Sequence, residues 1–197
     1  MKNIILDLGR VLIDFQPKVF LYSEFEKEKA DNLFKAIFDN SKWADFDLGK
    51  VSQKSLIEEI SAVSGQERFD IEKVFYLLPT LLRPIEENCA LLEQLSAKYT
   101  LYILSNFPKE PFEALFQFSF FRNFSGRVVS YEVGVKKPDR AIYERIITHY
   151  NLVPSETLFI DDSLENIDMA CKCGIQGHHL SDPKVFKDLL KSINVIE

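Results

Sequence analysis

The sequence predicts an α/β protein: a parallel sheet whose strands alternate with helices, interrupted after the first strand by a helical insert. Three observations carry this. Apolar runs without polar alternation recur at residues 3–6, 99–104 and 157–160, as strands buried on both faces of a sheet require. Each run stops at a small or polar group: Asp7, Ser105-Asn106 and Asp161-Asp162. Between and after them the apolar spacing is helical, and such alternation implies parallel pairing through right-handed crossovers.

In chain order, the first strand is 3–6, and Gly9 lets the backbone turn close to whatever Asp7 holds. From Phe15 to about Arg83 only helical periods occur, so no strand is expected there. Pro17 suits a first helical turn. Leu33, Phe34, Ile37 and Phe38 keep helical spacing until Asn40-Ser41 breaks it. Ser52 is a candidate cap for a helix that stops at Gly65, and Ile71, Val74, Phe75 and Leu78 repeat the pattern. The predicted division is therefore a core of 1–15 and 84–197 with an inserted helical unit, 16–83. After Pro84 the sequence predicts a helix to Lys98, the strand 99–104, and an aromatic helix-compatible stretch over 112–121. A third strand follows at 127–130, a helix at 139–150, and the strand 157–160. A helix from Leu164 to Cys173 stopped by Gly174, a fifth strand at 175–180 and a last helix at 183–190 complete the chain.

Composition narrows the function. At 197 residues, 46% hydrophobic and 27% charged, the chain is an ordinary globular protein with room for one core and an insert. A net charge of −6 argues against nucleic acid or an acidic membrane as partner. The three cysteines form no disulfide framework, which suits a reducing, cytoplasmic home. Cys171 and Cys173 lack a second pair or suitably spaced histidine for zinc. Asp7 and Arg10 interrupt the N-terminal apolar run too early for a signal peptide, and no apolar stretch has the length of a membrane span. Oligomeric state leaves no mark on the sequence.

The strand ends suggest a chemistry. In a parallel sheet the carboxyl ends of the strands lie on one edge, where ligands bind. Asp7, Ser105-Asn106 and Asp161-Asp162 converge there, and the loop Lys136-Lys137-Pro138 can reach it. Carboxylate oxygens with a backbone carbonyl suit a hard cation such as Mg²⁺, which also makes clustered carboxylates tolerable. A serine hydroxyl, backbone N–H groups and an ammonium cradle a phosphate. An Asp beside both can act as nucleophile.

Asp7-Leu8-Gly9 after an apolar strand, Ser105-Asn106, Lys137-Pro138, and Phe159-Ile160-Asp161-Asp162 with Asn166 resemble, in order and strand context, the four motifs of the haloacid dehalogenase (HAD) superfamily. They are most similar to its bacterial sugar-phosphatase-like members with Asp-Leu-Gly at motif one. The resemblance implies a Rossmann-like three-layer core, an α-helical cap inserted after the first strand, and hydrolysis of a small phosphorylated metabolite such as a sugar phosphate. It further implies Asp7 as nucleophile, with Asp7, the Gly9 carbonyl and Asp162 as Mg²⁺ ligands and Asp161 supporting them. Ser105, Asn106 and Lys137 would bind the phosphoryl group, Lys137 also orienting the nucleophile.

One position departs from the superfamily pattern: Gly9 stands where a second Asp serves as general acid/base, help typically worth about 10²–10⁴-fold. Either the leaving group needs little protonation, or turnover is weak. Asp14 is a conceivable substitute acid, with a loop or hinge role the plainer expectation. Arg10 is a possible substrate contact or a surface charge. Trp43, Asp45 and Asp47 in the insert are possible substrate contacts, with a packed tryptophan the competing expectation. His178 and His179 are expected to be structural. Two alternatives to a phosphatase remain open at this point. One is a hydrolytic dehalogenase of the same fold, against which the Asp161-Asp162 pair speaks. The other is a weakly active or non-catalytic phospholigand-binding protein, motivated by Gly9.

Overall fold

Strand-forming sequence occurs at seven places in the computed structural model, which describes all 197 residues. In chain order these are β1 (Asn3–Leu6), β2 (Ile13–Asp14), β3 (Arg83–Pro84), β4 (Thr100–Ser105), β5 (Gly126–Val129), β6 (Thr157–Asp161) and β7 (Gln176–His179). Five form one parallel sheet in the order β5-β4-β1-β6-β7. Central β1 registers Leu6 with Ile103 on one side and Ile160 on the other. Asp7, Ser105 and Asp161 therefore emerge side by side. The chain leaves β1 towards β4 but leaves β6 towards β7, so the crevice beyond β1 and β6 is the switch point of the sheet.

Alternation along each strand fills both faces. Ile4, Leu6, Leu101, Ile103, Leu158 and Ile160 pack into one core layer, and Ile5, Tyr102, Leu104 and Phe159 into the other. The result is the three-layer α/β sandwich expected from the unalternating apolar runs.

The segment between β2 and β3 is helical throughout: α1 (Pro17–Glu24), α2 (Lys27–Ile37), α3 (Ser41–Asp47), α4 (Gln53–Val63) and α5 (Arg68–Leu81). Pro17 opens α1. The Asn40 side chain caps α3 by accepting from the N–H groups of Lys42 and Trp43, and Ser52 caps α4 by accepting from Ser55. Leu21, Leu33, Phe46, Leu56, Ile71 and Phe75 bury one another in a core of the segment's own. Trp43, half-buried, lies on that core with its ring 4.7 Å from Phe38.

Three expectations are corrected. Arg83–Pro84 pairs antiparallel with Ile13–Asp14, so the region expected to lack strands ends in a two-residue ribbon. Two residues a side are too short for any periodic signal. The expected helix from Pro84 to Lys98 starts late, because Ile85 N–H is spent on Leu12 O at 2.8 Å in extending that ribbon. It runs instead as α6 (Glu86–Cys89) and α7 (Leu92–Ser96). The aromatic stretch expected to be helical is helical only over α8 (Lys109–Ala114), then 3₁₀ over Leu115–Gln117 and Ser119–Asn123. There Phe112, Phe116 and Phe121 meet edge to face with centroids 5.3–5.9 Å apart, an arrangement one regular helix does not give them.

The remaining helices are α9 (Ser130–Val133), α10 (Arg140–His149), α11 (Leu164–Lys172) and α12 (Phe186–Ser192). Gly126 carries no side chain because the Tyr150 ring fills that space: a Cβ there would lie 2.3 Å from it. No helix is long and apolar enough to cross a membrane.

Candidate active site

Lys137 is the centre of the site. Its side chain is 1% exposed, and its ammonium lies 2.9 Å from Asp7 Oδ1, 2.6 Å from Asp161 Oδ2 and 2.8 Å from the Leu104 carbonyl. Burial opposes its charge, but the two carboxylates outweigh burial and raise its pKa. The lysine is held as a cation.

Asp7 follows β1 and keeps the ladder going through its N–H to Ile160 O at 3.0 Å. Its Oδ1 accepts from Ser105 Oγ at 2.6 Å as well as from Lys137, which leaves Oδ2 as the oxygen with no donor in the protein. Burial, with Lys137 pulling against it and the charge of Asp161 adding to it, pushes the Asp7 carboxyl up to about 6. The N–H groups of Leu8, Gly9 and Asn106 donate to no acceptor in the protein. Unpaired N–H groups beside a buried carboxyl are costly unless an anion or water takes them.

Asp161 is fully buried and fully used. Oδ2 takes Lys137, while Oδ1 accepts from Ser163 N–H at 2.8 Å and the Asn166 amide at 2.9 Å. It fixes Lys137 and the start of α11. Asp162 is the freer of the pair. Burial and then Asp161 raise its pKa, while Arg10 lowers it from a 3.1 Å contact of Nε with Oδ2. Oxygens of Asp7, Asp161 and Asp162 all lie within 4.8 Å of one another.

Several expected residues take a definite place. Asn106, expected at a phosphoryl group, has its amide closed on Lys137, accepting from Lys137 N–H at 2.8 Å and donating to its carbonyl at 2.9 Å. What it leaves free is its backbone N–H. Arg10 is half-exposed, adopts φ 55°, and pairs with Asp162. Asp14 accepts from Gln16 on the exposed ribbon, away from the strand ends. His179 Nε2 lies 3.0 Å from the Asp162 carbonyl, which can only accept, so the ring supports that loop.

A cavity of about 120 Å³ opens over Asp7, Gly9 and Ser105 and is roofed by Trp43, Asp47 and Leu78 of the helical segment. A larger depression of about 250 Å³ beside Pro84 and Phe118 contains none of the clustered strand-end carboxylates. Sequence reasoning missed Ser130. Its hydroxyl donates to the Asp47 carbonyl at 2.5 Å and accepts from Phe107 N–H at 3.0 Å, joining α3 to the sheet edge. Gly49, at φ +67°, comes so close that a Cβ would lie 2.8 Å from the Tyr131 carbonyl.

Comparison with known proteins agrees with this architecture. The chain is 27% identical over 183 residues to the sesquiterpene phosphatase astK of Aspergillus oryzae, covering 92% of this chain and 90% of that one. It is 23% identical over 202 residues to the D-ribitol-5-phosphate phosphatase of Bacteroides thetaiotaomicron, covering 89% and 90%. A HAD family enzyme from Bacteroides thetaiotaomicron, solved with magnesium and inorganic phosphate, superimposes with a TM-score of 0.79 over 96% of this chain and 98% of that one, at 22% identity. A family model for haloacid dehalogenase-like hydrolases matches residues 1–174. With that match over most of the chain, the helical insert included, the chain belongs to the haloacid dehalogenase-like hydrolase family.

Proposed function

We propose that the protein is a Mg²⁺-dependent phosphatase that hydrolyses a small phosphorylated metabolite, such as a sugar phosphate, through an aspartyl-phosphate on Asp7. The observation that carries this reading is the asymmetry of Asp7: Oδ1 is pinned by Ser105 and Lys137, and Oδ2 has no donor beside three unpaired N–H groups. A pinned carboxylate with one free oxygen next to an anion cradle is what attack on phosphorus needs. The two relatives named above are both phosphatases, which supports the reaction class.

The donor set fits a hard divalent ion. Three carboxylates crowd within 4.8 Å while one lysine neutralises part of their charge, and all the donors are oxygens. Asp7, Asp162 and the Gly9 carbonyl would hold Mg²⁺, and Asp161 would support them through Lys137, Ser163 and Asn166. When bound, the ion supplies charge neutralisation to the phosphoryl oxygens. The chain's own groups do the rest. Asp7 Oδ2 attacks phosphorus and the ester oxygen departs, while Lys137 and the N–H groups of Leu8, Gly9 and Asn106 hold the equatorial oxygens. Water then attacks the phosphorus and frees Asp7.

Residues 16–83 would act as the cap that closes this chamber, with Trp43 and Asp47 over the substrate. Arg10, tethered to Asp162, would contact the anionic substrate at the rim. Three free cysteines suit a cytoplasmic enzyme. Release of inorganic phosphate from phenyl phosphates is the test: turnover requires Mg²⁺, stops with EDTA and stops in Asp7→Asn. Turnover that survives Asp7→Asn, or no release across sugar, nucleotide and aryl phosphates, overturns the proposal.

A further inference from the structure

The position that normally carries a general acid/base in this family is Gly9, and the space in front of it is open: a Cβ built there meets nothing within 4 Å. Departure of a basic alkoxide still needs a proton, and attack by water still needs one removed. A replacement group must therefore reach the same cavity from another element.

Asp47 does. It ends α3 and lines the cavity together with Asp7, Gly9 and Ser105. Its position is fixed from below, because Ser130 Oγ donates to its carbonyl and Gly49 is pressed against Tyr131. Its carboxylate accepts no hydrogen bond within the protein. On the elements packed against α3, Glu59 of α4 is paired with Lys42 and Glu132 of α9 with Arg127, and on α3 itself Asp45 is paired with Lys50. Lys136 is the charge that acts on Asp47, and Asp7 lies across the cavity. Burial, only partly offset by Lys136, pushes the carboxyl up to about 7, where one group can give a proton and take it back.

On the phosphatase reading above, we propose that Asp47 of the helical segment is the general acid/base of the reaction, standing in for the side chain that Gly9 lacks. In the first step Asp7 Oδ2 forms a bond to phosphorus, the P–O bond to the alcohol breaks, and the Asp47 proton passes to the departing oxygen. In the second, water adds to phosphorus, its proton goes to the Asp47 carboxylate, and the bond from phosphorus to Asp7 breaks. The alcohol and inorganic phosphate leave, and both carboxyl groups return to their starting states. Catalysis on this account requires the helical segment to be docked, since the acid belongs to it and the nucleophile to the sheet.

The test compares kcat/KM for phenyl phosphate, a poor leaving group, with para-nitrophenyl phosphate, a good one. Asp47→Asn is expected to lower the phenyl value by about 10²-fold or more and the nitrophenyl value far less. It should also remove the fall in the phenyl rate above about pH 7. Gly9→Asp placed in Asp47→Asn should recover at least about tenfold of the phenyl rate, as the open space at Gly9 permits. Equal losses for both esters, or no recovery, overturn the assignment while Asp7-dependent turnover leaves the phosphatase reading standing. If the wild type releases no phosphate from either ester, the phosphatase reading falls and the role of Asp47 with it. A circular-dichroism melt of Asp47→Asn separates lost chemistry from lost folding.

Discussion

Ser130 Oγ lies 2.5 Å from the carbonyl oxygen of Asp47, so a hydroxyl at the start of α9 holds the helix that roofs the cavity. Replacing Ser130 with Ala leaves that carbonyl and the Phe107 N–H without their partner, a cost of about 1–3 kcal/mol. The expected outcome is that loss of stability in urea unfolding, together with a fall in kcat/KM for phenyl phosphate as Asp47 is no longer held at the cavity. Like a change at Asp47 itself, it should weaken phenyl phosphate more than para-nitrophenyl phosphate, because the acid is the group it holds in place. Unchanged kinetics for both would mean the bond does not hold the roof in place.

Lys137 is the only cation between Asp7 and Asp161, and all three are buried. Lys137→Met strands two carboxylates, and breaking a buried charge set in this way costs about 3–5 kcal/mol. Urea unfolding should show that loss together with loss of phosphate release. A variant as stable as wild type would show that water reaches Asp161 and screens it.

Mg²⁺ should stabilise the folded protein by mass action, about 2.7 kcal/mol when its concentration is a hundred times its Kd. Asp162→Asn should abolish most of the rise in Tm on titration with MgCl₂. Asp161→Asn should instead destabilise the protein with or without metal, since it loses the Lys137 pair. An undiminished Mg²⁺ shift in Asp162→Asn removes that residue from the ligand set.

Stability should depend on pH through Asp47. Its carboxyl ordinarily titrates at 3.8 and in the fold is pushed to about 7, so between those values the folded state holds the proton more tightly than the unfolded chain. Stability then falls as pH rises through that window, and the penalty is complete above it. Asp47→Asn removes the penalty. It should be more stable than wild type by roughly 1–3 kcal/mol near pH 8, with the gain gone near pH 4. A gain that is the same at both pH values would contradict the burial that raises the carboxyl.

The parts of the site legible in the sequence are those fixed by the sheet. Asp7, Ser105 and Asp161 sit at strand ends, and parallel pairing brings such ends together whatever the rest of the chain does. The parts that were not legible depend on docking: Asp47 reads as a possible substrate contact, but its tie to Ser130 does not show. Ser130 and Asp47 are separated by 83 residues, and only the way α3 meets α9 brings them into contact. The Asn106 amide reads as an anion ligand from its motif, yet in the fold it closes on the Lys137 backbone, where no periodicity points. The ribbon of β2 and β3 escapes detection because a pair of dipeptides has no pattern.

That ribbon has a consequence for how the molecule can change over generations. Both crossings between the helical unit and the sheet are adjacent and paired, Ile13 with Pro84 and Asp14 with Arg83. Everything between them can be lengthened, shortened or exchanged as a cassette without disturbing the strand order beneath. If the proton donor travels with the cassette, substrate choice and acid chemistry are inherited as one piece, while the nucleophile stays behind.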